Sequence, residues 1–168
     1  MNEMIKKVVL WILVIGCMAT IFGFSSQVAE ESKKTSSKVI TKVVETFDIK
    51  KELTKPQKEK ITEDLTFIVR KGAHFSIYAL LGMFMFLLVQ EYNLTKKKCF
   101  VTAIAAAFIY ACSDEFHQTF VSGRSGELRD IFIDTAGAMV GCAFVIFIKY
   151  ICSKVRNRRN INGLYDSL

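Results

Sequence analysis

Apolar residues in this chain are gathered into four long blocks that are separated by charged segments. The blocks cover about residues 5–24, 73–91, 99–120 and 131–152. A soluble domain spreads its apolar residues at helix or strand periods, whereas an apolar block of about twenty residues is long enough to cross a bilayer as a helix. The pattern therefore predicts an all-α membrane protein with four transmembrane helices, folded as a single domain over residues 1–168.

The first block follows Lys6 and Lys7, an arrangement that it shares with secretory signal peptides. The apolar stretch is longer than the core of a usual signal peptide, and no clear A-x-A cleavage site follows it. We therefore expect the first block to be an uncleaved span.

The charged connector between the first two spans, residues 25–72, carries two helical patterns. Apolar residues recur at helical spacing over residues 39–47, which is typical of an amphipathic helix. A second helix is predicted to begin with Thr54 as its N-cap, where Gln57 completes a capping box. We expect these helices to lie on the membrane surface or to pack over the spans, and a solvated helical hairpin is the alternative.

The third and fourth blocks reach spanning length only if they include polar residues. The purely apolar part of the third block ends at Cys112 after about fourteen residues, while a span needs about twenty. The span must therefore extend over residues 113–118, and the fourth span, which begins near Ile131, takes in Asp134. The extension of the third span contains Asp114, Glu115, His117 and Gln118. Ionisable groups are costly within a bilayer, so these positions favour a function.

Basic residues stand next to the apolar blocks, and this placement accounts for the net charge of +7. They flank the first span, lie over residues 92–98, and recur in a basic tail, residues 153–168. The positive-inside rule therefore predicts that both termini are cytoplasmic, although the basic residues of the connector would then lie outside. We expect the lipid bilayer to be a partner of the chain and expect no nucleic acid.

In this topology the polar segments of all four spans meet at the outer face, which predicts a narrow bundle with a polar pocket. His74 and Tyr78 share one face of the second span, and Gly137 and Gly141 form a GxxxG step that allows close helix approach. The candidate ligand-binding residues are Ser26, Gln27, Arg70, Lys71, Tyr78, Gln118, Arg124, Asp130 and Asp134. The candidate catalytic residues are His74, Asp114, Glu115 and His117.

The charged candidates have a functional and a structural interpretation. Arg70, Lys71 and Arg124 would hold a phosphate or carboxylate, or else would anchor the bundle to lipid headgroups. The carboxylates would belong to a binding or active site, or else would form a buried network that locks the helices together.

The only two histidines both fall near carboxylates, which favours acid–base chemistry. His74, Asp114 and His117 would also suit zinc, with Glu115 as a base, but no HExxH or similar motif supports a metal site. The sequence therefore predicts no metal and no cofactor. Its five cysteines form no CxxC pair, and we expect them to be small, buried, free thiols.

These polar residues occur in ordered pieces that resemble the VanZ-like family of membrane proteins. The pieces are Phe24-Ser25-Ser26-Gln27, Arg70-Lys71-x-Ala73-His74-Phe75-x-x-Tyr78, Ser113-Asp114-Glu115-x-His117-Gln118-x-Phe120 followed by Gly123-Arg124, and Asp130-x-x-x-Asp134-Thr135-x-Gly137-x-x-x-Gly141. Together they cover nearly the whole chain except the connector and the tail. Ser122 stands where many relatives have Pro before Gly-Arg, so we expect a looser turn here.

The resemblance implies a multi-pass protein of the bacterial plasma membrane that acts in the cell envelope. The family's name member is linked to low-level resistance to the glycopeptide teicoplanin, so the implied partner is an amphiphilic glycopeptide or a lipid-linked wall precursor. Some relatives carry a phosphotransbutyrylase label, but no acyl-CoA or phosphate-loop motif in this chain supports that activity.

Three functions stay open on the sequence. In the first, the outer-face pocket binds an amphiphile without catalysis. In the second, the protein is a membrane enzyme that hydrolyses or transfers a group on a phosphorylated or glycosylated lipid, with a histidine as base or nucleophile. A small transporter is the weakest hypothesis, because the charges cluster at one face instead of lining a path.

Overall fold

The structure, a computed structural model, describes residues 2–26, 55–124 and 126–165. Four helices make up most of these residues: α1 (Glu3–Ser25), α2 (Lys55–Gln90), α3 (Lys96–Gln118) and α4 (Leu128–Tyr165). Gln27, Thr54 and the predicted amphipathic helix over residues 39–47 lie outside the described residues.

Each helix contains a segment that is long and apolar enough to cross a membrane. These segments are Glu3–Ser25, Phe67–Gln90, Lys96–Gln118 and Leu128–Arg159. The predicted all-α architecture with four spans is therefore confirmed. The third segment includes the polar residues up to Gln118 and the fourth includes Asp134, so both spans take in the ionisable groups that their length required.

The described part of the connector is continuous with the second span. Residues 55–72 were expected to form a helix separate from that span, but α2 runs unbroken from Lys55 to Gln90. The only proline of the chain, Pro56, stands in the first turn of α2, where its missing N–H breaks no helical hydrogen bond. Gly72 is tolerated because a single glycine weakens a helix without breaking it.

Polar side chains cap the beginning of α1 and α3. The Asn2 side chain accepts a hydrogen bond from the Met4 N–H at 3.3 Å, and the Thr95 hydroxyl accepts one from the Lys98 N–H at 3.4 Å. Each cap satisfies one of the N–H groups that the first turn of a helix leaves free, so these two residues fix where the helices begin.

Small residues bring α2 and α4 into close contact. A methyl group added at Gly141 would lie 1.8 Å from the carbonyl oxygen of Ala79, and one at Gly137 would lie 2.5 Å from that of Phe75. From the opposite helix, a methyl group at Gly82 would lie 2.3 Å from the oxygen of Ala138. The close approach that the GxxxG step predicts is thus confirmed, and it fixes the spacing between the two helices.

The helices alternate in direction, so the two ends of the bundle are different. At one end Lys6 at the start of α1 pairs with Glu91 after α2 at 2.5 Å, and the Trp11 indole donates to the Tyr92 hydroxyl at 3.2 Å. The opposite end brings together the last turn of α1, residues 70–78 of α2, the last turns of α3 and the beginning of α4. The polar segments of the four spans therefore meet at one end, as the topology predicts.

Candidate functional site

Buried polar side chains are concentrated at this second end of the bundle. Ser25 of α1 is fully buried, and the buried carboxylates of α3 and α4 are between 2% and 9% exposed. The buried polar or charged side chains among the described residues are Ser25, Asp114, Glu115, Gln118, Asp130 and Asp134. Since burial of polar groups costs free energy unless they are paired, the partners of each group indicate what it does.

A hydrogen-bonded network joins α1 to α3. The Ser25 hydroxyl donates to Asp114 Oδ2 at 2.8 Å. The Gln118 amide donates to the same carboxylate oxygen at 3.1 Å and to Glu115 Oε1 at 3.0 Å. One oxygen of Asp114 is therefore well paired, and the C-terminal turn of α3 is tied to the last turn of α1.

Arg124 and Glu115 extend this network to the turn before α4. Arg124 donates to the Phe24 carbonyl oxygen at 3.0 Å and to Gln118 Oε1 at 3.3 Å. Burial, and then the neighbouring Arg70, lower the pKa of Arg124 from its usual value, and arginine nevertheless remains charged in proteins. Glu115 Oε2 accepts from the Glu127 N–H at 2.9 Å, directly before α4 begins. Both side chains therefore fix the position of the turn.

A second set of polar atoms at this end has no hydrogen-bond partner within the described part of the chain. It includes Tyr78 Oη, Asp114 Oδ1 and Asp134 Oδ2, which lie beside the ring of His74. Asp130 Oδ1, Arg124 Nε and His117 Nδ1 are also buried without a partner in that part of the chain. His74 Nδ1 lies 3.9 Å from Asp134 Oδ2, which is too long for a hydrogen bond. We call His74, Tyr78, Asp114 and Asp134 the unpartnered group, and Asp114 belongs to it and to the network through different oxygens.

A cavity of about 80 Å³ opens beside the unpartnered group. It is lined by Arg70, Lys71, His74, Glu115, Gln118, Gly123, Arg124, Glu127, Asp130 and Asp134. One pair of these charges is internally balanced, because the Lys71 ammonium contacts the Asp130 carboxylate between α2 and α4. The cavity walls therefore hold positive and negative charges side by side.

Most of the predicted site residues come together here. Eight of them line the cavity: Arg70, Lys71, His74, Glu115, Gln118, Arg124, Asp130 and Asp134. Asp114 and Tyr78 do not line it but belong to the unpartnered group next to it. Ser26 is exposed and its hydroxyl donates to the Phe22 carbonyl oxygen of its own helix at 2.7 Å, so the neighbouring Ser25 makes the contact with Asp114.

His117 lies outside the cavity, contrary to the expectation that both histidines share the pocket. Its ring packs against Phe22, with 4.5 Å between the ring centroids. The buried stripe of α3 passes through Ala107, Ala111 and Gln118. Helical geometry places residue 117 at the edge of that stripe, whereas the sequence pattern placed it on the stripe itself.

Sequence reasoning missed Gly123 and Glu127, which also line the cavity. Gly123 has φ of 75°, a left-handed conformation that favours glycine, and so allows the turn before α4. The Gly-Arg pair was a visible signal for this turn. Glu127 immediately precedes α4 and lines the cavity. Its backbone N–H donates to Glu115, a contact that no side-chain pattern in the sequence predicts.

Comparison with known proteins places the chain in a family. No curated protein and no solved structure matches it significantly. The VanZ/LLP1 family matches residues 10–149, a range that contains every residue lining the cavity. Because that match covers most of the chain and reaches all four apolar helices, the protein belongs to the VanZ/LLP1 family.

Proposed function

We propose that this protein acts in the bacterial cell envelope, where its polar cavity faces the outer side of the plasma membrane and binds the charged part of an amphiphile. The amphiphile would be a lipoglycopeptide such as teicoplanin or a lipid-linked wall precursor. Binding of either would contribute to teicoplanin resistance. Both termini would then be cytoplasmic, as the positive-inside rule predicts.

The observation that carries this proposal is a small charged cavity at the end of four apolar helices. Its volume of about 80 Å³ admits a few water molecules or one small charged group, and excludes a whole antibiotic. Only a headgroup such as a phosphate, carboxylate or ammonium would enter. The rest of the ligand would have to stay outside the cavity.

Exposed aromatic side chains at the same end of the bundle as the cavity suit the apolar part of an amphiphile. Phe116, Phe120 and Phe132, at the ends of the helices that form the cavity, are each about two-thirds exposed or more. In a bilayer such side chains face lipid, so an acyl or prenyl chain would lie against them while the polar group enters the cavity. This division favours an amphiphile over a fully soluble ligand.

The cavity charges favour an anionic headgroup. Arg70 and Arg124 present guanidinium groups, whose planar donor arrangement matches the oxygens of phosphate and carboxylate. Lys71 already pairs with Asp130, so it would contribute less to binding an anionic headgroup. The acidic residues of the lining would position an ammonium or hydroxyl of the same headgroup.

The test is teicoplanin susceptibility of cells that express the wild type or Asp114→Asn at equal abundance in the membrane. The proposal expects wild type to protect and Asp114→Asn to protect less. Glu91→Gln is the matched control, because Glu91 is a carboxylate at the opposite end of the bundle. Equal protection by all three proteins would exclude a role for Asp114, and no protection by wild type would remove the link to teicoplanin.

One observation favours a second candidate, an enzyme acting on a phosphorylated or glycosylated lipid. His74 faces Asp134 across 3.9 Å beside the cavity, and a histidine oriented by a carboxylate is a common acid–base pair. Release of inorganic phosphate from a phosphorylated lipid by purified protein, abolished in His74→Gln, would favour the enzyme. Binding without any release would favour the binder.

A further inference from the structure

Three side chains from three different helices converge beside the cavity. They are His74 of α2, Asp114 of α3 and Asp134 of α4, and one ligand atom of each lies within 4.8 Å of the other two. In a tetrahedral zinc site, with metal–ligand distances of about 2.0–2.2 Å, two ligand atoms lie about 3.3–3.6 Å apart. Side-chain rotations that bring the three atoms about 1 Å closer together would let all of them contact a single ion.

Both carboxylates of this set have an oxygen without a partner although they are shielded from water. Asp114 is 3% exposed and Asp134 is 2% exposed, yet Asp114 Oδ1 and Asp134 Oδ2 accept no hydrogen bond from the described residues. Tyr78, one helical turn after His74, is fully buried and its hydroxyl is also without a partner in that part of the chain. Burial of unpaired polar groups is costly, so this arrangement indicates a missing partner for them.

The charge of the group indicates that the partner is a cation. Two buried carboxylates face each other here, and like charges at short range destabilise a fold unless a positive charge offsets them. Neither Lys71 nor Arg124 pairs with these two carboxylates, since Lys71 contacts Asp130 and Arg124 donates to Phe24 and Gln118. A divalent ion would neutralise both carboxylates at once.

We propose that His74, Asp114 and Asp134 bind a divalent transition-metal ion such as Zn²⁺. An imidazole nitrogen with two carboxylate oxygens suits zinc better than magnesium or calcium, which prefer sets of oxygen ligands. Three protein ligands leave a coordination position open, and His74 and Asp134 also line the cavity. The open position would therefore face the cavity, with the Tyr78 hydroxyl close to the site.

This arrangement differs from the zinc set that spacing along the chain suggests. That set contained His117, which packs on Phe22 away from the cavity, whereas Asp134 takes its place from α4. A ligand set drawn from three helices has no fixed sequence spacing, so no short sequence motif could identify it. Metal binding can also be tested separately from the proposed function, because the experiment uses the ion alone as the ligand.

The experiment is titration of the purified full-length protein, stripped of metal with a chelator, with Zn²⁺ alone in detergent by calorimetry. We expect one ion for each chain, and at least about a tenfold loss of affinity in His74→Ala and in Asp134→Asn, because each loses one of three ligands. Raised thermal stability of the wild type on adding Zn²⁺, absent in both variants, is the accompanying result.

The chain offers matched controls for each variant. His117→Ala removes the other histidine and Glu91→Gln removes a carboxylate at the far end, and both are expected to bind Zn²⁺ as the wild type does. Equal binding by all variants would place the ion on the cysteines and overturn the proposal. Absence of binding to the wild type would overturn it as well and would leave a shared proton as the explanation of the unpartnered carboxylates.

Discussion

The hydrogen-bonded network and the unpartnered group lie at the same end of the bundle but differ in how their buried atoms are paired. In the network, Gln118 donates to two carboxylates, and Glu115 also accepts from the backbone before α4. In the unpartnered group, Tyr78, Asp134 and one oxygen of Asp114 have no partner among the described residues. Paired polar groups hold a fold together, whereas unpaired ones are kept at a cost to stability. The paired residues therefore hold the site in shape, and the unpaired residues are the ones that would act in it.

A close contact between α2 and α4 beside the unpartnered group gives the largest expected effect. Gly137→Ala would place a methyl group 2.5 Å from the Phe75 carbonyl oxygen, so α2 and α4 would have to separate near His74 and Asp134. We expect a loss of stability of about 1–3 kcal/mol, measured by thermal unfolding in detergent. Gly16→Ala is the matched control, because a methyl group there contacts nothing within 4 Å. Equal stability of both variants would contradict the close packing.

Glu115→Ala tests the network. The Glu127 N–H and one donor of the buried Gln118 amide would lose their acceptor, which costs about 1–3 kcal/mol. We expect a melting temperature several degrees below that of the wild type. An unchanged melting temperature would mean that this carboxylate does not hold the turn before α4 and belongs with the unpartnered group instead.

Arg124→Lys tests a smaller contribution to the same network. The guanidinium bridges the Phe24 carbonyl oxygen and Gln118, and a lysine ammonium cannot span both acceptors with the same geometry. The expected loss is about 1 kcal/mol, seen in thermal unfolding as a small shift. A shift as large as that of Glu115→Ala would contradict this small contribution, because the substitution keeps the positive charge and alters only the two hydrogen bonds.

The smallest effect is expected at the opposite end of the bundle. Glu91→Gln removes the ion pair with Lys6, whose side chain is 45% exposed, and such surface pairs contribute less than about 1 kcal/mol. We expect no resolvable change in melting temperature and none in teicoplanin susceptibility. A large change in either would disqualify this variant as a control and would give the end of the bundle that contains Lys6 and Glu91 a role of its own.

The sequence predicts the fold better than the site, for physical reasons. Apolar blocks of spanning length dictate four helices, and the alternating direction of those helices brings the polar segments to one end. His117 packs on Phe22 and does not line the cavity, and a spacing of three or four residues along α3 does not distinguish position 117 from position 118. Ser25 and Glu127 act through one hydroxyl and one backbone N–H, and such contacts depend on the final packing of the helices.

The unpartnered group was the least predictable part of the site. His74, Asp114 and Asp134 come from three helices, so their distances depend on how closely α2 and α4 approach at Gly137 and Gly141. The sequence places all three near one membrane face. It carries no information on which oxygen of Asp114 is taken by Ser25 and which is left free.

The central claim is that the unpartnered group is the working part of the site, and Asp134→Asn tests it most directly. Teicoplanin susceptibility of cells and thermal unfolding of the purified protein in a chelator should be measured on this one variant. We expect protection to be lost while the melting temperature stays equal to that of the wild type or rises, because a buried unpaired charge is removed. Retained protection, or protection lost together with a lower melting temperature, would contradict the account.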